Sequence, residues 1–181
     1  MKKVTEREVG RICRLIQDYI YENEKIVLGV SGGIDSDVVA RLCVKALSPD
    51  RVHLFFVVQE GVPEKRCSTV RELADELQCE LSIIDLQKMN IELVHKMHRG
   101  DMKNLNMDSF MDAHRAKCAL RVAIYSLYNE NDFIFCSTTN RTELETGACM
   151  LWGDMLGHIR PIAHLYKTQV YELARLVGTK E

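Results

Sequence analysis

The sequence predicts an α/β fold, a doubly wound parallel sheet with helices on both faces, and three observations predict it. Short apolar, β-branched runs alternate with longer segments of helical period, as successive β-α-β units do. The short runs are apolar along their whole length, as strands covered on both faces are. A glycine-rich turn joins the first run to the helix after it, where parallel sheets place their phosphate sites.

In chain order, residues 4–22 carry Val9, Ile12, Leu15, Ile16, Tyr19 and Ile20 at three-and-four spacing, which predicts an amphipathic helix. Residues 25–30 read as the first buried strand and 35–47 as a helix with Val38, Val39, Leu42, Cys43 and Ala46 on one side. Pro49 and Asp50 punctuate the chain before a strand at 52–58. A loop around Gly61 and Pro63 leads to a helix at 64–78 and a strand at 81–86. Ile91, Leu93, Val94 and Met97 allow a short helix that Arg99-Gly100-Asp101 breaks, and 103–107 reads as a loop. A helix at 109–129, a strand at 132–136 and a helix over 141–151 follow. Gly153 and Gly157 bracket a loop to Pro161, and 167–177 closes the chain as a helix.

Length and composition bound the function. The 181 residues suffice for one sizeable core, and no Gly/Ser/Pro-rich linker divides them, so 1–181 reads as a single domain. Hydrophobic residues make up 46% and charged residues 28%, with a net charge of −2. That balance argues against a nucleic-acid or membrane surface. The densest basic stretches, Met1-Lys2-Lys3 and Glu64-Lys65-Arg66, are short, and acids dilute them. The seven cysteines (13, 43, 67, 79, 118, 136 and 149) are odd in number and contain no Cys-x-x-Cys pair. They read as reduced thiols packed as small hydrophobes rather than as a disulfide framework or a zinc ribbon, which implies a cytoplasmic protein. The first residues, with no apolar segment behind them, do not read as a signal peptide, and no run reaches the roughly 18 apolar residues of a transmembrane helix.

The most informative segment is Leu28-Gly-Val-Ser-Gly-Gly-Ile-Asp-Ser36. Ser31, Gly32 and Gly33 permit a tight turn whose backbone N–H groups, with the following helix N-terminus, attract an anion. Ser31 and Ser36 add hydroxyl donors. Asp35 would repel a bare phosphate, and a divalent cation between them removes the conflict. A turn with an ordinary Asp/Ser helix cap is the bland alternative. The full Ser-Gly-Gly-x-Asp-Ser pattern is neither a Walker A motif nor Gly-x-Gly-x-x-Gly. It resembles the signature of the PP-loop ATP pyrophosphatases (adenine nucleotide alpha-hydrolase-like folds), which bind the pyrophosphate of ATP and cleave between the α- and β-phosphates.

A second constellation follows the fourth strand: Ser137-Thr-Thr-Asn-Arg-Thr-Glu143, then Thr146-Gly147, Trp152-Gly-Asp154, Ile159-Arg-Pro-Ile162 and Leu165-Tyr-Lys-Thr-Gln-Val-Tyr-Glu-Leu-Ala174. With the phosphate loop, the order and spacing of these pieces resemble the NAD synthetase family from about residue 25 to 178. The resemblance implies that Ser31, Gly32, Gly33, Asp35, Ser36, Thr138 and Lys167 bind ATP. It implies that Asp35 and Glu143 share a magnesium ion, and that Asp35, Glu143 and Lys167 are catalytic. Arg121, Trp152 and Asp154 fall where the family binds its acyl substrate. His158 and His164 read as polar loop residues.

The same resemblance implies the reaction. ATP adenylates the carboxylate of nicotinate adenine dinucleotide, pyrophosphate leaves, and ammonia forms the amide, NAD. Family members continue for some tens of residues past the closing helix, so an extension of that kind is expected to be absent here. The length leaves no room for a glutaminase domain, which points to free ammonia or ammonia from a separate protein. A homodimer is implied as well. Three positions depart from the family's substrate residues: Leu151 for a lysine, His158 for an aspartate, and Ala119 for the first arginine of an Arg-x-Arg pair. They keep open an adenylating amide synthase for a different carboxylate, or a catalytically incomplete ATP-binding relative.

Overall fold

Lys25–Gly29 (β1), Val52–Val58 (β2), Glu80–Asp85 (β3) and Phe133–Cys136 (β4) form one parallel sheet in the order β3-β2-β1-β4. The computed structural model of the chain describes residues 3–59, 61–97 and 107–180, without the side chains of 94, 97 and 107–113. The chain winds outward from β1 through β2 to β3, then returns to the other side of β1 for β4. The carboxyl ends of β1 and β4 therefore flank the point where the winding reverses, which is where such sheets open a crevice.

Seven α-helices are described: Glu6–Tyr19 (α1), Ile34–Ala46 (α2), Glu64–Leu77 (α3), Gln87–Met97 (α4), Met107–Asn129 (α5), Arg141–Thr146 (α6) and Lys167–Val177 (α7). Period-2 alternation in β1 divides them between two faces. Ile26 and Leu28 pack toward Ile12, Ile16, Leu42, Val70 and Leu173 of α1, α2, α3 and α7. Val27 packs the other way, with Phe55 and Phe135, against Ile124 of α5. Around β1 and β2 both faces are covered, as the apolar runs predict. A fully buried aliphatic side chain of this kind contributes about 1.5–3 kcal/mol by leaving water, so Leu42→Ala, at a side chain 0% exposed, would cost about 2–5 kcal/mol. None of the described helices is long and apolar enough to cross a membrane. Cys13, Cys43, Cys118 and Cys136 are buried free thiols, as small hydrophobes are.

The differences from the sequence reading have local causes. β3 is an edge strand, half open to solvent, with Ile83 40% exposed; its apolar run does not mark a doubly covered strand. The predicted break at Arg99-Gly100-Asp101 lies outside the described residues. So does the predicted loop over 103–107, except for Met107, which is already helical. Asp132 takes a left-handed φ of 61° and precedes β4 instead of opening it. The helix predicted over 141–151 stops at Thr146, because Gly147 adopts φ 68° and returns its N–H to the Glu143 carbonyl. Within the predicted loop 153–161, Ile159 makes a parallel bridge to Cys136 and so extends the sheet beyond β4.

Candidate active site at the carboxyl edge of the sheet

The loop between β1 and α2 is shaped by its own hydroxyls. The Ser36 hydroxyl accepts the Ser31 N–H at 3.2 Å and donates to the Gly33 carbonyl at 2.9 Å. The Gly33 N–H donates to the Ser31 hydroxyl at 3.3 Å. Gly32 turns the chain at φ 73°, a conformation that favours glycine. Gly33 is the N-cap of α2, and no side chain caps the helix. Its first-turn amides are thus left for an anion.

Asp35, in the first turn of α2, is gripped from two other elements. The Asn140 amide donates to Asp35 Oδ1 at 3.1 Å, and Lys167 Nζ forms an ion pair with Asp35 Oδ2. Asn140 is 1% exposed and also caps α6: its side-chain oxygen accepts the Glu143 N–H at 3.1 Å, while Glu143 Oε2 accepts the Asn140 N–H at 3.0 Å. The Lys167 N–H donates to the Thr142 hydroxyl at 2.9 Å, which ties the start of α7 to α6. Glu143 sits beside this knot. Burial holds its carboxyl above the ordinary glutamate range, and the Asp35 charge adds to the rise.

A cleft of about 350 Å³ opens between the two constellations. Ser31, Asp35 and Ser36 line one side and Thr138 and Glu143 the other, over an aromatic floor that includes Phe55, Tyr125 and Phe135. Arg121 and Asp154, which also line the cleft, form an ion pair at 3.3 Å. Asp154 is held in place by the Met150 N–H on its carboxylate at 3.0 Å and the Thr139 hydroxyl on its carbonyl at 2.7 Å. The Arg121 guanidinium donates to Cys118 Sγ at 2.9 Å, while its buried Nε has no partner among the described residues.

The fold thus brings Ser31, Asp35, Ser36, Thr138, Glu143, Arg121 and Asp154 to one cleft, and Lys167 reaches Asp35 from its edge. Gly32 and Gly33 shape the loop from the side that faces Thr69 and Tyr171. Trp152, 69% exposed, and Leu151, 65% exposed, do not line the cleft. The His158 ring turns to the sheet, its Nδ1 accepting the Phe135 N–H at 2.9 Å. His164 bonds to Glu8 of α1 at 2.7 Å, away from the cleft. Sequence reasoning gave Asn140 no role. The Asn140-Arg-Thr-Glu143 spacing of a capping box was a readable signal for the cap, whereas its bond to Asp35 spans 105 residues and left none.

Residues 8–181 match the profile of the NAD synthase family. The chain belongs to that family. It is 32% identical to the NH(3)-dependent NAD(+) synthetase of Thermotoga neapolitana over a 214-residue alignment, covering 97% of this chain and 71% of the relative. It is 30% identical to the glutamine-dependent NAD(+) synthetase of Aquifex aeolicus over 173 residues, but spans only 30% of that longer protein. Among solved structures, the NH3-dependent NAD synthetase of Campylobacter jejuni superposes with a TM-score of 0.86 at 24% identity, covering 97% of this chain and 74% of that one. The NMN synthetase of Francisella tularensis superposes equally well, with a TM-score of 0.86 at 23% identity over 99% of this chain and 73% of that one. Both show the shared NAD synthase fold.

Proposed function

We propose that the chain is an ammonia-dependent ligase of the NAD synthetase type, which adenylates the carboxylate of nicotinate adenine dinucleotide with ATP and passes the acyl group to ammonia. The observation that carries this reading is the Asp35 carboxylate, held by Asn140 and Lys167 beside Glu143, at the mouth of an uncapped phosphate loop.

In the first step a substrate carboxylate oxygen attacks the α-phosphorus of ATP. The bond from that phosphorus to the bridging oxygen breaks, and pyrophosphate leaves with the electron pair. The carboxylate is already an anion at pH 7, so no general base is required. Charge develops on the leaving group. The Ser31 and Ser36 hydroxyls and the α2 amides meet it at the loop, and Lys167 supplies a positive charge once it leaves Asp35. In the second step ammonia attacks the acyl carbon, AMP leaves, and a proton passes to solvent. The Arg121–Asp154 pair, fixed on the cleft wall, would orient the acyl end of the substrate.

Asp35 and Glu143 also suit magnesium. They are hard oxygen donors lining one cleft, near enough that the Asp35 charge helps to raise the Glu143 carboxyl. Magnesium takes one or two protein carboxylates and completes its shell with water and phosphate oxygens. Bound there, it would neutralise charge on the departing pyrophosphate.

The test is NAD formation from ATP, magnesium, ammonium and nicotinate adenine dinucleotide, read with an alcohol dehydrogenase. NAD that appears in step with pyrophosphate supports the reading; ATP binding without dinucleotide-dependent turnover counts against it. That second outcome would favour an adenylating amide synthase for another carboxylate. Leu151 and His158 support this alternative, because neither presents to the cleft the charged group expected at its position. The leading reading also expects a cytoplasmic homodimer; a solution mass near the 20.8 kDa of one chain would remove the dimer.

A further inference from the structure

We propose that Arg66 is an additional phosphate-binding residue, which grips the β- and γ-phosphates of ATP and the pyrophosphate that leaves. The proposal rests on the ATP-pyrophosphatase reading of the cleft.

Arg66 is the third residue of α3 and lines the same cleft as Ser31, Ser36 and Asp35. Its stem packs against the phosphate loop: a Cβ added to Gly32 would stand 3.5 Å from Arg66 Cβ and 3.6 Å from Arg66 Cγ. Arg66 is exposed, and its side chain makes no hydrogen bond or ion pair among the described residues. The neighbouring arginines are engaged. Arg121 pairs with Asp154, and Arg41 pairs with Asp37 at 2.7 Å and Glu76 at 2.8 Å.

The local placement of Arg66 runs against helix electrostatics. Lys65 and Arg66 both stand in the first turn of α3, where the helix dipole disfavours cations, and Pro63 provides no side-chain cap. A cation placed against the local rule on a cleft wall is matched when an anion arrives. The cleft also needs that charge. Asp35, Glu143 and Asp154 bring three carboxylates to it, and Lys167 and Arg121 are each already paired with one of them. Arg66 reaches the loop from α3 while Lys167 reaches it from α7, so the two cations would hold the polyphosphate from different elements. A planar guanidinium suits two phosphate oxygens at once.

Calorimetry with the full chain tests this, using MgATP, magnesium pyrophosphate and adenosine as separate probes on wild type, Arg66→Ala and Arg66→Lys. Arg66→Ala is expected to weaken MgATP and pyrophosphate binding by about 10-fold or more, in line with the loss of a charge-assisted bidentate contact. Adenosine binding and the melting temperature stay unchanged, and Arg66→Lys recovers part of the loss. Equal binding of pyrophosphate by wild type and Arg66→Ala would overturn the proposal, as would a loss of the same size for adenosine. Wild-type protein that binds neither MgATP nor pyrophosphate would overturn it together with the nucleotide reading, a result distinct from the first two.

Discussion

Lys167 Nζ forms an ion pair with Asp35 Oδ2, joining the first residue of α7 to the phosphate-loop helix across 132 residues of sequence. The contact places the cation of one motif on the carboxylate of the other. Asn140 holds the second oxygen of Asp35, so the carboxylate is oriented from both sides. For Asp35 to share a magnesium ion and Lys167 to meet phosphate, this pair must part when the nucleotide binds.

Lys167→Ala therefore separates two roles. The fold is expected to persist, because the Lys167 backbone keeps its bond to Thr142. Loss of one charge aimed at the leaving group should lower ATP–pyrophosphate exchange by about 100-fold. Exchange at the wild-type rate would remove Lys167 from the chemistry and leave it a structural partner of Asp35.

Glu143 gives a pH signature. Burial, reinforced by the Asp35 charge, raises its folded-state pKa above the ordinary value of 4.5. A raised carboxyl contributes stability that is complete below the unfolded pKa and is lost as pH rises through the folded one. At pH 7 the ligand-free protein therefore bears the cost of an ionised, partly buried Glu143. Glu143→Gln should melt at a higher temperature than wild type at pH 7, with the gap closing as the pH falls below 4.5. The same variant should show no magnesium-dependent rise in melting temperature with ATP. A variant that melts lower than wild type at pH 7 would contradict the electrostatic account.

Gly157 keeps the isolated Ile159 bridge beside β4. It holds φ 154°, and a Cβ there would stand 2.6 Å from Ser137 Cβ and 2.9 Å from the Ser137 backbone nitrogen. Ser137 lies on the cleft wall and cannot retreat without moving Thr138. Gly157→Ala should cost about 2 kcal/mol or more, a fall in melting temperature of roughly 5 °C. An unchanged melting curve would show that the 153–161 segment is free to shift.

The substrate half is tested by Leu151→Lys combined with His158→Asp. If these two positions moved specificity away from nicotinate adenine dinucleotide, restoring the charges should raise kcat/KM for it by about 10-fold, or 1.4 kcal/mol of transition-state binding. No gain would remove that explanation of the departures.

What could be read in advance follows from the range of the forces involved. β2 and α7 fall on the predicted residues, 52–58 and 167–177, because their patterns are local and both are bounded by turn chemistry. The phosphate loop was legible for the same reason: Ser31 to Ser36 close upon themselves. The edge position of β3 was not legible, since its apolar residues look like those of β1 and only the absence of a neighbour separates the two. Asn140 could be read as a cap but not as the clamp on Asp35, which depends on how β1 and β4 pair. Trp152 offered an aromatic beside a Gly-Asp pair, and nothing local told that it faces solvent.

The most direct test of carboxylate adenylation is isotope transfer from substrate. Nicotinate adenine dinucleotide labelled with oxygen-18 in its carboxylate is turned over with ATP, magnesium and ammonium, and the AMP is analysed by mass spectrometry. The account predicts one labelled oxygen in each AMP, carried through the acyl-adenylate, and none in pyrophosphate. Unlabelled AMP, or label in an inorganic phosphate product, would contradict it.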